Sequence, residues 1–471
     1  MKRTIHFLLF LAFGFHLLSA NIVDKFRENK LLQNANISLL IKDLQTSKIL
    51  YEFRPNNSII SASTMKVITT ATALEMFGPE FRMATKLEID GEITKDSVLN
   101  GDLYIKGGGD PTLGSAKIGD NNFISKWVDA VLNAGIKKIN GRIIANDYFF
   151  EQQVINPKWT WEDVGNYYAP SIYGIAYMDN TFELIFKTCK VGTSPEIIQV
   201  NPEIPGLEIQ NFVQITNTNS DNAYFYGAPF SNVKSVYGEI PANKNEFTVK
   251  GDIPNPGLLL AQHFHKKLNE SGCEIIESPT SERINNCKKF AIYTHYSPTL
   301  QVIINETNKN SNNLYAEYLF KYIGTKTGIP GTVNQAITKI KSFWKSKGLS
   351  VDELFQCDGS GLSPSNAVSA NFFVELLFYM KEKSKYYDNF YQSFSVSGEN
   401  GTLKTILGKT PLKGKIHAKS GSISRVKSYV GYIELENQTL VFALLVNNAN
   451  GTSKEVTKKM EEFFLNVAKD K

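Results

Sequence analysis

Ser63 and Lys66 stand three residues apart at the start of the stretch SASTMKVITTATALEMFG, residues 61 to 78. The stretch has the spacing of an amphipathic helix, and residues at i and i+3 share one helix face. A serine at a helix N-terminus lies among unpaired backbone amides, which favour developing negative charge. A lysine beside it could take the hydroxyl proton, so this pair could form an activated nucleophile.

Lys66 can act as a base only when its amine is neutral. Lowering a lysine pKa from about 10.4 to about 7.5 costs roughly 4 kcal/mol, which requires burial or a neighbouring cation. The same spacing recurs at three other pairs, Ser231/Lys234, Ser342/Lys345 and Ser424/Lys427. A solvated pair or a helix cap explains any one such pair more simply, so the chemistry needs partners elsewhere.

Two further polar triplets supply those partners. Ser311-Asn312-Asn313 stands at the head of the predicted helix SNNLYAEYLFKYIG, and Lys419-Ser420-Gly421 lies in the predicted strand KIHAKSGSIS. Each triplet has a decoy elsewhere, Ser220-Asp221-Asn222 and Lys326-Thr327-Gly328. The first decoy lies in a β-rich region and the second trails a helix without strand character, so context favours Ser311 and Lys419.

The elements that must position these residues are strands near both ends of the chain and helices between them. NISLLIKDL and KILYEF alternate apolar and polar residues and predict two strands with a tight turn between them. KIHAKSGSIS, SYVGYIEL and TLVFALLVNNA predict three more strands, and helical spacing recurs in three segments between 311 and 384 and in a last helix at 453–470. We predict an α+β fold with one antiparallel sheet built from both termini and covered by helices.

Residues 80–289 have a different texture, and a chain of 471 residues is long enough for two or three domains. Short alternating runs such as MATKLEID, TFELIF and NEFTVKG predict a β-rich region with one helix near LLLAQHFHKKLNES. GGGDP at 107–111 lacks the Gly-Lys-Ser/Thr ending of a phosphate loop, so it predicts a turn. We therefore predict a catalytic domain of residues 21–79 plus 290–471, and an inserted β-rich region of residues 80–289 in two subdomains.

The serine–lysine pair and the two triplets together resemble the three-motif set of penicillin-recognising serine enzymes. The longer strings ASTMKVITTATAL, GDLYIKGGGDPTL, TNKNSNNLYAE, DGSGLSPSNAVSA and SGENGTLKTIL resemble the D-alanyl-D-alanine carboxypeptidase/endopeptidase family S13, the class C low-molecular-mass penicillin-binding proteins. The resemblance covers nearly all of the chain after residue 20. Asn312 and Ser420 stand where that family often has Asp and Thr, and neither change removes a functional group that the chemistry needs. The resemblance implies the penicillin-binding-protein/serine β-lactamase-like transpeptidase fold, with a large insertion after the first motif.

The catalytic roles follow from the resemblance. Ser63 would attack the carbonyl between two D-alanines of a peptidoglycan stem peptide, with Lys66 as the base. Ser311 would relay a proton to the leaving amine, and Asn313 would hold Lys66 and the substrate amide. Cross-links between D-alanine and a diamino acid are a further expected substrate, and β-lactams would imitate the peptide bond and leave a slowly hydrolysed acyl-enzyme.

The third motif is expected to bind substrate. Lys419 would help to keep Lys66 neutral and would attract the terminal carboxylate, which Ser420 would hydrogen-bond. Gly421 would let the substrate backbone approach the strand closely. The backbone amides of Ser63 and Ser422 would form the oxyanion hole, each worth about 3 kcal/mol in the transition state. This chemistry requires no metal or cofactor.

Other readings fit less well. A Ser-His-Asp hydrolase is disfavoured because no Gly-x-Ser-x-Gly elbow occurs, and His263 and His265 alternate sides on a predicted helix, as surface residues would. The segment DGSGLS around Asp358 and Ser360 predicts a loop that supports the cleft rather than a second nucleophile. A serine β-lactamase and a non-catalytic sensor that binds peptidoglycan or β-lactams stay as alternatives, although a pure binder has no need of an intact nucleophile.

The N-terminal residues MKRTIHFLLFLAFGFHLLSA predict a secretory signal with cleavage after Ala20, with a membrane anchor as the alternative. We therefore expect an exported protein of the periplasm or cell envelope, with at most peripheral membrane association. The net charge of +5 would fall to +3 without Lys2 and Arg3, too little to indicate nucleic acid. Export would permit disulfides, and either a Cys273–Cys287 pair or unpaired thiols would fit.

Overall fold

The computed structural model describes residues 22–285 and 289–470. The signal predicted for residues 1–20 and the cysteine Cys287 lie outside the described residues, so cleavage after Ala20 and the Cys273–Cys287 pair stay predictions. Cys189, Cys273 and Cys357 form no disulfide with one another. Within the described ranges, no helix combines the length and the apolar character needed to cross a membrane.

Strands and helices occur close to where the sequence pattern predicts them. The strands are β1 Asn36–Asp43, β2 Ile49–Phe53, β3 Ala84–Ile89, β4 Glu92–Ile93, β5 Val98–Asn100, β6 Leu103–Lys106, β7 Lys138–Ile139, β8 Ile143–Asn146, β9 Thr181–Lys187, β10 Glu196–Asn201, β11 Glu208–Thr216, β12 Asn222–Tyr226, β13 Val233–Pro241, β14 Phe247–Asp252, β15 Glu274–Ile275, β16 Thr280–Glu282, β17 Phe290–Tyr296, β18 Leu354–Phe355, β19 Ala367–Val368, β20 Ser395–Val396, β21 Ile416–Ile423, β22 Val426–Glu434 and β23 Thr439–Asn447. The helices are α1 22–27, α2 Met65–Phe77, α3 Phe123–Asn133, α4 Pro256–Glu270, α5 Leu300–Lys309, α6 Asn313–Gly324, α7 Val333–Ser346, α8 Ala370–Lys383, α9 Tyr387–Gln392 and α10 Ser453–Lys469.

The chain forms two compact units, and both are discontinuous in sequence. Among the described residues, the first unit contains 22–79, Ile304–Asn312 and 337–470, and the second contains 80–285, 289–303 and Asn313–Ala336. The predicted domains were drawn instead from the change in sequence texture at residues 80 and 290. The assignment of catalysis to residues 21–79 and 290–471 therefore stays a prediction.

The first unit is built on a six-stranded sheet whose strand order is β2-β1-β23-β22-β21-β20. All neighbouring strands in it run antiparallel, and β1 from the N-terminal end pairs with β23 from the C-terminal end. Helix α10 packs Met460, Phe463 and Phe464 on one face of this sheet, and α8 packs against β1 and β23. Because helices cover both faces of the sheet, the sequence of β23 is a nearly continuous run of apolar residues, without the alternation of a strand that has one solvated face.

Helix α2 differs from its prediction in one respect. The sequence predicted an amphipathic helix, but residues 65–74 are all buried. A helix enclosed on every side must satisfy its polar side chains internally. Thr70 and Thr72 donate to carbonyls four residues back, and Thr69 donates to the Gly359 carbonyl. The threonines of α2 are therefore core residues of the first unit.

The second unit is β-rich, and its strands form four sheets. Their strand orders are β16-β8-β6-β3-β17, β15-β7-β5-β4, β10-β9-β14 and β11-β13-β12. Helices α3 and α4 contribute Trp127, Phe264 and Leu268 to its apolar core. The strand-like runs noted between residues 80 and 289 are thus confirmed as strands, and GGGDP forms an irregular connection after β6.

Candidate active site

Ser63 lies in a single 3-10 turn, Ala62–Thr64, that leads directly into α2. Among residues 61–74, Ser63 is the one that is not buried. Two hydroxyl groups fix the turn from either side, because Thr64 Oγ1 and Ser428 Oγ each donate to the Ser61 carbonyl at 2.7 Å. Ala62 has a φ of 47°, a left-handed conformation that an alanine adopts only under constraint. The fold therefore presents the Ser63 hydroxyl from a rigidly held segment.

Lys66 is buried and points its amine at Ser63. Its Nζ donates to Ser63 Oγ at 2.9 Å and to the Ser360 carbonyl at 2.7 Å. The side chain is 0% exposed, so its charged form has lost the hydration that would stabilise it. The predicted nucleophile and base are thus within hydrogen-bond distance, and a backbone carbonyl fixes the position of the base.

Lys419, the first residue of the third motif, contacts Ser311, the first residue of the second motif. Its Nζ donates to Ser311 Oγ at 2.9 Å and to the Ser420 carbonyl at 2.6 Å. Burial holds the pKa of Lys419 well below its ordinary value, and the charge of Lys66 lowers that pKa further. The same repulsion acts on Lys66, since a Coulomb interaction is mutual. Within the first unit, the structure therefore brings together Ser63, Lys66, Ser311 and Lys419.

Strand β21 lies directly against the turn that carries Ser63. A Cβ added to Gly421 would lie 2.2 Å from Ser428 Oγ, 2.7 Å from the Ser61 carbonyl oxygen and 3.1 Å from the Ser63 backbone nitrogen. Only a residue without a side chain allows this approach. Ser420 is half-buried and donates to Thr402 Oγ1 at 2.7 Å, whereas Ser422 is exposed at the next outward position.

Asn313 belongs to the second unit, where it is the first residue of α6. Its Nδ2 donates to the Tyr168 carbonyl at 2.8 Å. It follows Ser311 by two residues in the chain, and Ser311 has a φ of 58°, which turns the backbone sharply between the two side chains. The predicted role of Asn313 toward Lys66 and the substrate amide stays a prediction.

The structure adds residues that the sequence reasoning did not assign to the site. The carbonyl of Ser360 accepts from Lys66, and the loop around it is organised by the buried carboxylate of Asp358. That carboxylate accepts from the amides of Gly361 and Ser363 at 2.7 Å and from Asn366 Nδ2 at 2.8 Å. The string DGSGLSPSNAVSA contains this loop, which was predicted to support the cleft, and the structure places it in contact with Lys66. Sequence cannot predict such a contact, because every residue type carries a backbone carbonyl.

The decoy motifs have other partners. Lys234 is buried in an ion pair with Asp252 at 2.6 Å, and Lys427 Nζ donates to Ser453 Oγ at 3.3 Å. His263, predicted on the surface, is half-buried and within 2.8 Å of the Tyr177 hydroxyl. Across residues 22–285 and 289–470, no three His, Cys, Asp or Glu side chains gather in an arrangement that could hold a metal ion.

Known proteins resemble the chain over nearly its whole length. The family model described as the D-Ala-D-Ala carboxypeptidase 3 (S13) family matches residues 18–467. A D-alanyl-D-alanine carboxypeptidase of Actinomadura sp. (strain R39) is 25% identical over 442 residues, which cover 91% of this chain and 81% of the relative. The D-alanyl-D-alanine carboxypeptidase DacB of Haemophilus influenzae is 24% identical over 458 residues, 93% of this chain and 91% of the relative.

Solved structures show the same fold. The crystal structure of penicillin binding protein 4 (dacB) from Haemophilus influenzae aligns with a TM-score of 0.81 and 21% identity, covering 95% of this chain and 99% of that one. A structure of that protein complexed with a novel β-lactam aligns with a TM-score of 0.75 and 21% identity, covering 96% and 99%. The α+β fold with a penicillin-binding-protein-like sheet, predicted from the sequence, is thereby confirmed.

Proposed function

The chain belongs to the D-Ala-D-Ala carboxypeptidase 3 (S13) family, and from that premise we propose how its residues carry out the reaction. As a family member it is a serine-type D-Ala-D-Ala carboxypeptidase, an enzyme that hydrolyses the terminal peptide bond of peptidoglycan stem peptides. The observation that supports our assignment of residues is the 2.9 Å hydrogen bond between Lys66 Nζ and Ser63 Oγ, beside a second buried lysine.

In the first half of the reaction, Ser63 becomes acylated. Neutral Lys66 accepts the hydroxyl proton as Ser63 Oγ bonds to the carbonyl carbon of the penultimate D-alanine. The carbon–nitrogen bond then breaks, and the leaving amine takes the proton that Lys66 gives up and Ser311 relays, which leaves Lys66 neutral again. In the second half, Lys66 accepts a proton from the water that attacks the ester, and returns it to Ser63 Oγ as the ester bond breaks.

Lys419 serves this reaction in two ways. When Lys419 carries a proton, its charge disfavours a second positive charge on Lys66, so the base stays neutral and able to accept a proton. An arriving terminal carboxylate favours the charged form of Lys419 in turn, because opposite charges stabilise each other where water is excluded. Ser420 hydrogen-bonds the same carboxylate, and the amides of Ser63 and Ser422 receive the oxyanion, as predicted from the sequence.

β-Lactams are the expected inhibitors, since they present a strained amide in place of the D-Ala-D-Ala bond. The Haemophilus influenzae relative has been crystallised with a β-lactam, which supports this extension. We also propose cleavage of D-alanine–diamino acid cross-links, export to the periplasm or cell envelope, and peptidoglycan peptides as the physiological partner. Asn313 would hold the substrate amide in both reactions.

A direct test measures D-alanine released from a stem pentapeptide that ends in D-Ala-D-Ala. The wild-type protein and a Ser424→Ala variant should both release it, because Ser424 belongs to a decoy pair, whereas Ser63→Ala should release none. Mass analysis of digested cross-linked muropeptides tests the endopeptidase activity in the same preparation. Release that persists in Ser63→Ala would contradict the proposal, and so would β-lactam binding without any peptide hydrolysis, which a sensor would show.

A further inference from the structure

The outer face of the β11-β13-β12 sheet in the second unit carries a row of aromatic side chains. The strand register places Phe212 opposite Tyr237, and Tyr237 opposite Tyr224. These side chains are 51%, 46% and 43% exposed, respectively. Aromatic side chains contribute most to stability when they are buried. Three half-exposed rings in line across one sheet therefore form a contiguous patch of the kind that marks a binding surface.

The row continues toward Trp161. Phe212 and Tyr237 stack with ring centroids 4.7 Å apart and planes 10° apart. Tyr226 meets Tyr237 edge to face at 5.8 Å, and Trp161 lies 6.4 Å from Tyr226. Trp161 is 63% exposed. We call these five residues the aromatic strip. A groove runs between Trp161 and β13, and Ser231 and Ser235 line it together with the rings.

Amides and a hydroxyl flank the aromatic strip, together with the carboxylates of Glu208 and Glu239 on the same face. In the strand register, Gln210 lies opposite Ser235 on one side of the aromatic row, and Ser235 Oγ donates to Gln210 Oε1 at 2.8 Å. On the other side, Gln214 and Asn222 each lie opposite Glu239. None of the outward-facing residues of β11, β12 and β13 is a lysine or arginine, since Lys234 points inward and pairs with Asp252.

These properties select the chemistry of the ligand. A surface without cations does not attract phosphates, which argues against nucleic acid and phospholipid headgroups. Flat rings offer an electron-rich face to the polarised C–H bonds of a sugar ring, and neighbouring amides and hydroxyls can bond sugar hydroxyl and acetamido groups. A linear, uncharged saccharide therefore matches both the aromatic row and its polar borders.

We propose that the aromatic strip binds the glycan strand of peptidoglycan. The choice of this saccharide rests on the proposed function, because the stem peptides cleaved at Ser63 are attached to that strand. Where a stem peptide is attached, the lactyl carboxyl of the sugar is consumed in an amide bond, so the strand is uncharged. The strip thus recognises the polymer by its sugars, a part of the substrate that a free pentapeptide lacks.

The test uses the full chain with two uncharged probes, peptide-free glycan strands whose lactyl carboxyls have been amidated and soluble chitohexaose. Trp161 serves as the reporter, because Trp127, Trp159 and Trp344 are buried and contribute a constant fluorescence background. Chitohexaose should change the fluorescence saturably, with little dependence on salt, since no ion pairs are involved. The double variant F212A/Y237A should bind at least about tenfold more weakly, a difference of about 1.4 kcal/mol.

Matched variants separate stacking from folding. Tyr237→Phe keeps the ring and should keep the affinity, and Phe290→Ala, which removes a 57% exposed aromatic residue from β17, should bind as wild type. All variants should unfold at the wild-type temperature. D-Alanine release from a free pentapeptide should be unchanged in F212A/Y237A, because that substrate carries no sugar for the strip to bind.

Failure of this inference can be told apart from failure of the proposed function. If Ser63→Ala binds glycan normally but releases no D-alanine, both stand. If the wild type releases D-alanine but binds neither probe, the strip is not a glycan site and the enzyme assignment is unaffected. If F212A/Y237A instead turns a dimer into a monomer in sedimentation without changing glycan affinity, the strip is an interface between two copies of the chain, which also overturns the inference.

Discussion

Lys66 and Lys419 are two amines buried in one unit, and the charge of Lys66 lowers the pKa of Lys419 beyond the effect of burial. A lone buried lysine can keep its charge by recruiting a carboxylate, as Lys234 does with Asp252. Lys66 and Lys419 each donate to a hydroxyl and to a carbonyl, which accept from an amine without carrying an opposing charge. The residue types at Ser63 and Lys66 could be read from the sequence, but the burial of Lys66 could not, since it depends on the chain around it.

At the residue scale we predict that Lys66→Met slows acylation of the protein by a fluorescent penicillin about 10²- to 10⁴-fold, because the proton on Ser63 loses its acceptor. The matched control is Lys427→Met, which removes the lysine of a decoy pair in the same unit and should acylate at nearly the wild-type rate. Equal losses in the two variants would show that the effect is not specific to Lys66, and would contradict the assignment of Lys66 as base.

The lowered pKa of Lys419 predicts how stability depends on pH. Above that lowered pKa and below the ordinary value near 10.4, the unfolded chain holds a proton on Lys419 that the folded protein does not. The free energy of unfolding contributed by this residue therefore rises with pH, by up to about 1.4 kcal/mol per unit. In denaturant unfolding, the free energy of unfolding of the wild type relative to that of Lys419→Met should increase as pH rises through this window. A difference between the two proteins that falls with pH would contradict the lowered pKa.

At the scale of elements, the site is made where β21, the 3-10 turn and the Asp358 loop meet in the first unit. Gly361 lies so close to the turn that a Cβ on it would be 1.9 Å from the Ala62 carbonyl oxygen. Sequence patterns predicted the strand, the helix and the loop separately. They could not predict the contacts among them, which are made through backbone carbonyls and amides that every residue type carries.

Gly421→Ala should damage catalysis while preserving all the named side chains of the site. The new methyl group would displace Ser428 and the Ser63 turn, and a displacement of about 1 Å can cost about a hundredfold in rate. Gly257→Ala is the control, since its added carbon would lie no closer than 3.3 Å to any neighbour. The measurement compares the rates of penicillin acylation of the two variants and the wild type. If Gly421→Ala were acylated at the wild-type rate, β21 would not constrain Ser63.

Asp358→Ala should lower both stability and activity, because it removes the carboxylate that accepts hydrogen bonds from the Gly361 and Ser363 amides and from Asn366 Nδ2. We expect a loss of about 3 kcal/mol in the free energy of unfolding, since each buried donor left unsatisfied costs about 1–3 kcal/mol. Acylation should also slow in the fraction that remains folded, because the Ser360 carbonyl no longer holds Lys66 in place. The exposed residue Asp352 provides the control, and Asp352→Ala should change stability by no more than about 0.5 kcal/mol. If the folded Asp358→Ala protein were acylated at the wild-type rate, the Asp358 loop would have no role in the site.

At the scale of the whole molecule, the sequence predicted the sheet that joins both ends of the chain, because β1, β22 and β23 have strong apolar patterns. It predicted the strands of the second unit but not their division into four sheets. The parallel pairing of β11 with β13 skips over β12, and such pairings depend on distant contacts rather than on local periodicity. The aromatic row on this sheet could not be predicted from the sequence for the same reason, since Phe212, Tyr224 and Tyr237 align only through that pairing.

The central claim is that one serine among the Ser-x-x-Lys pairs of this chain forms the acyl-enzyme. The most direct measurement treats the full chain with benzylpenicillin, digests it, and locates the penicilloyl group by mass spectrometry. We predict a single adduct on the peptide that contains Ser63, present in the wild type and in Ser424→Ala and absent in Ser63→Ala. An adduct on any other serine, or one that persists in Ser63→Ala, would contradict the account.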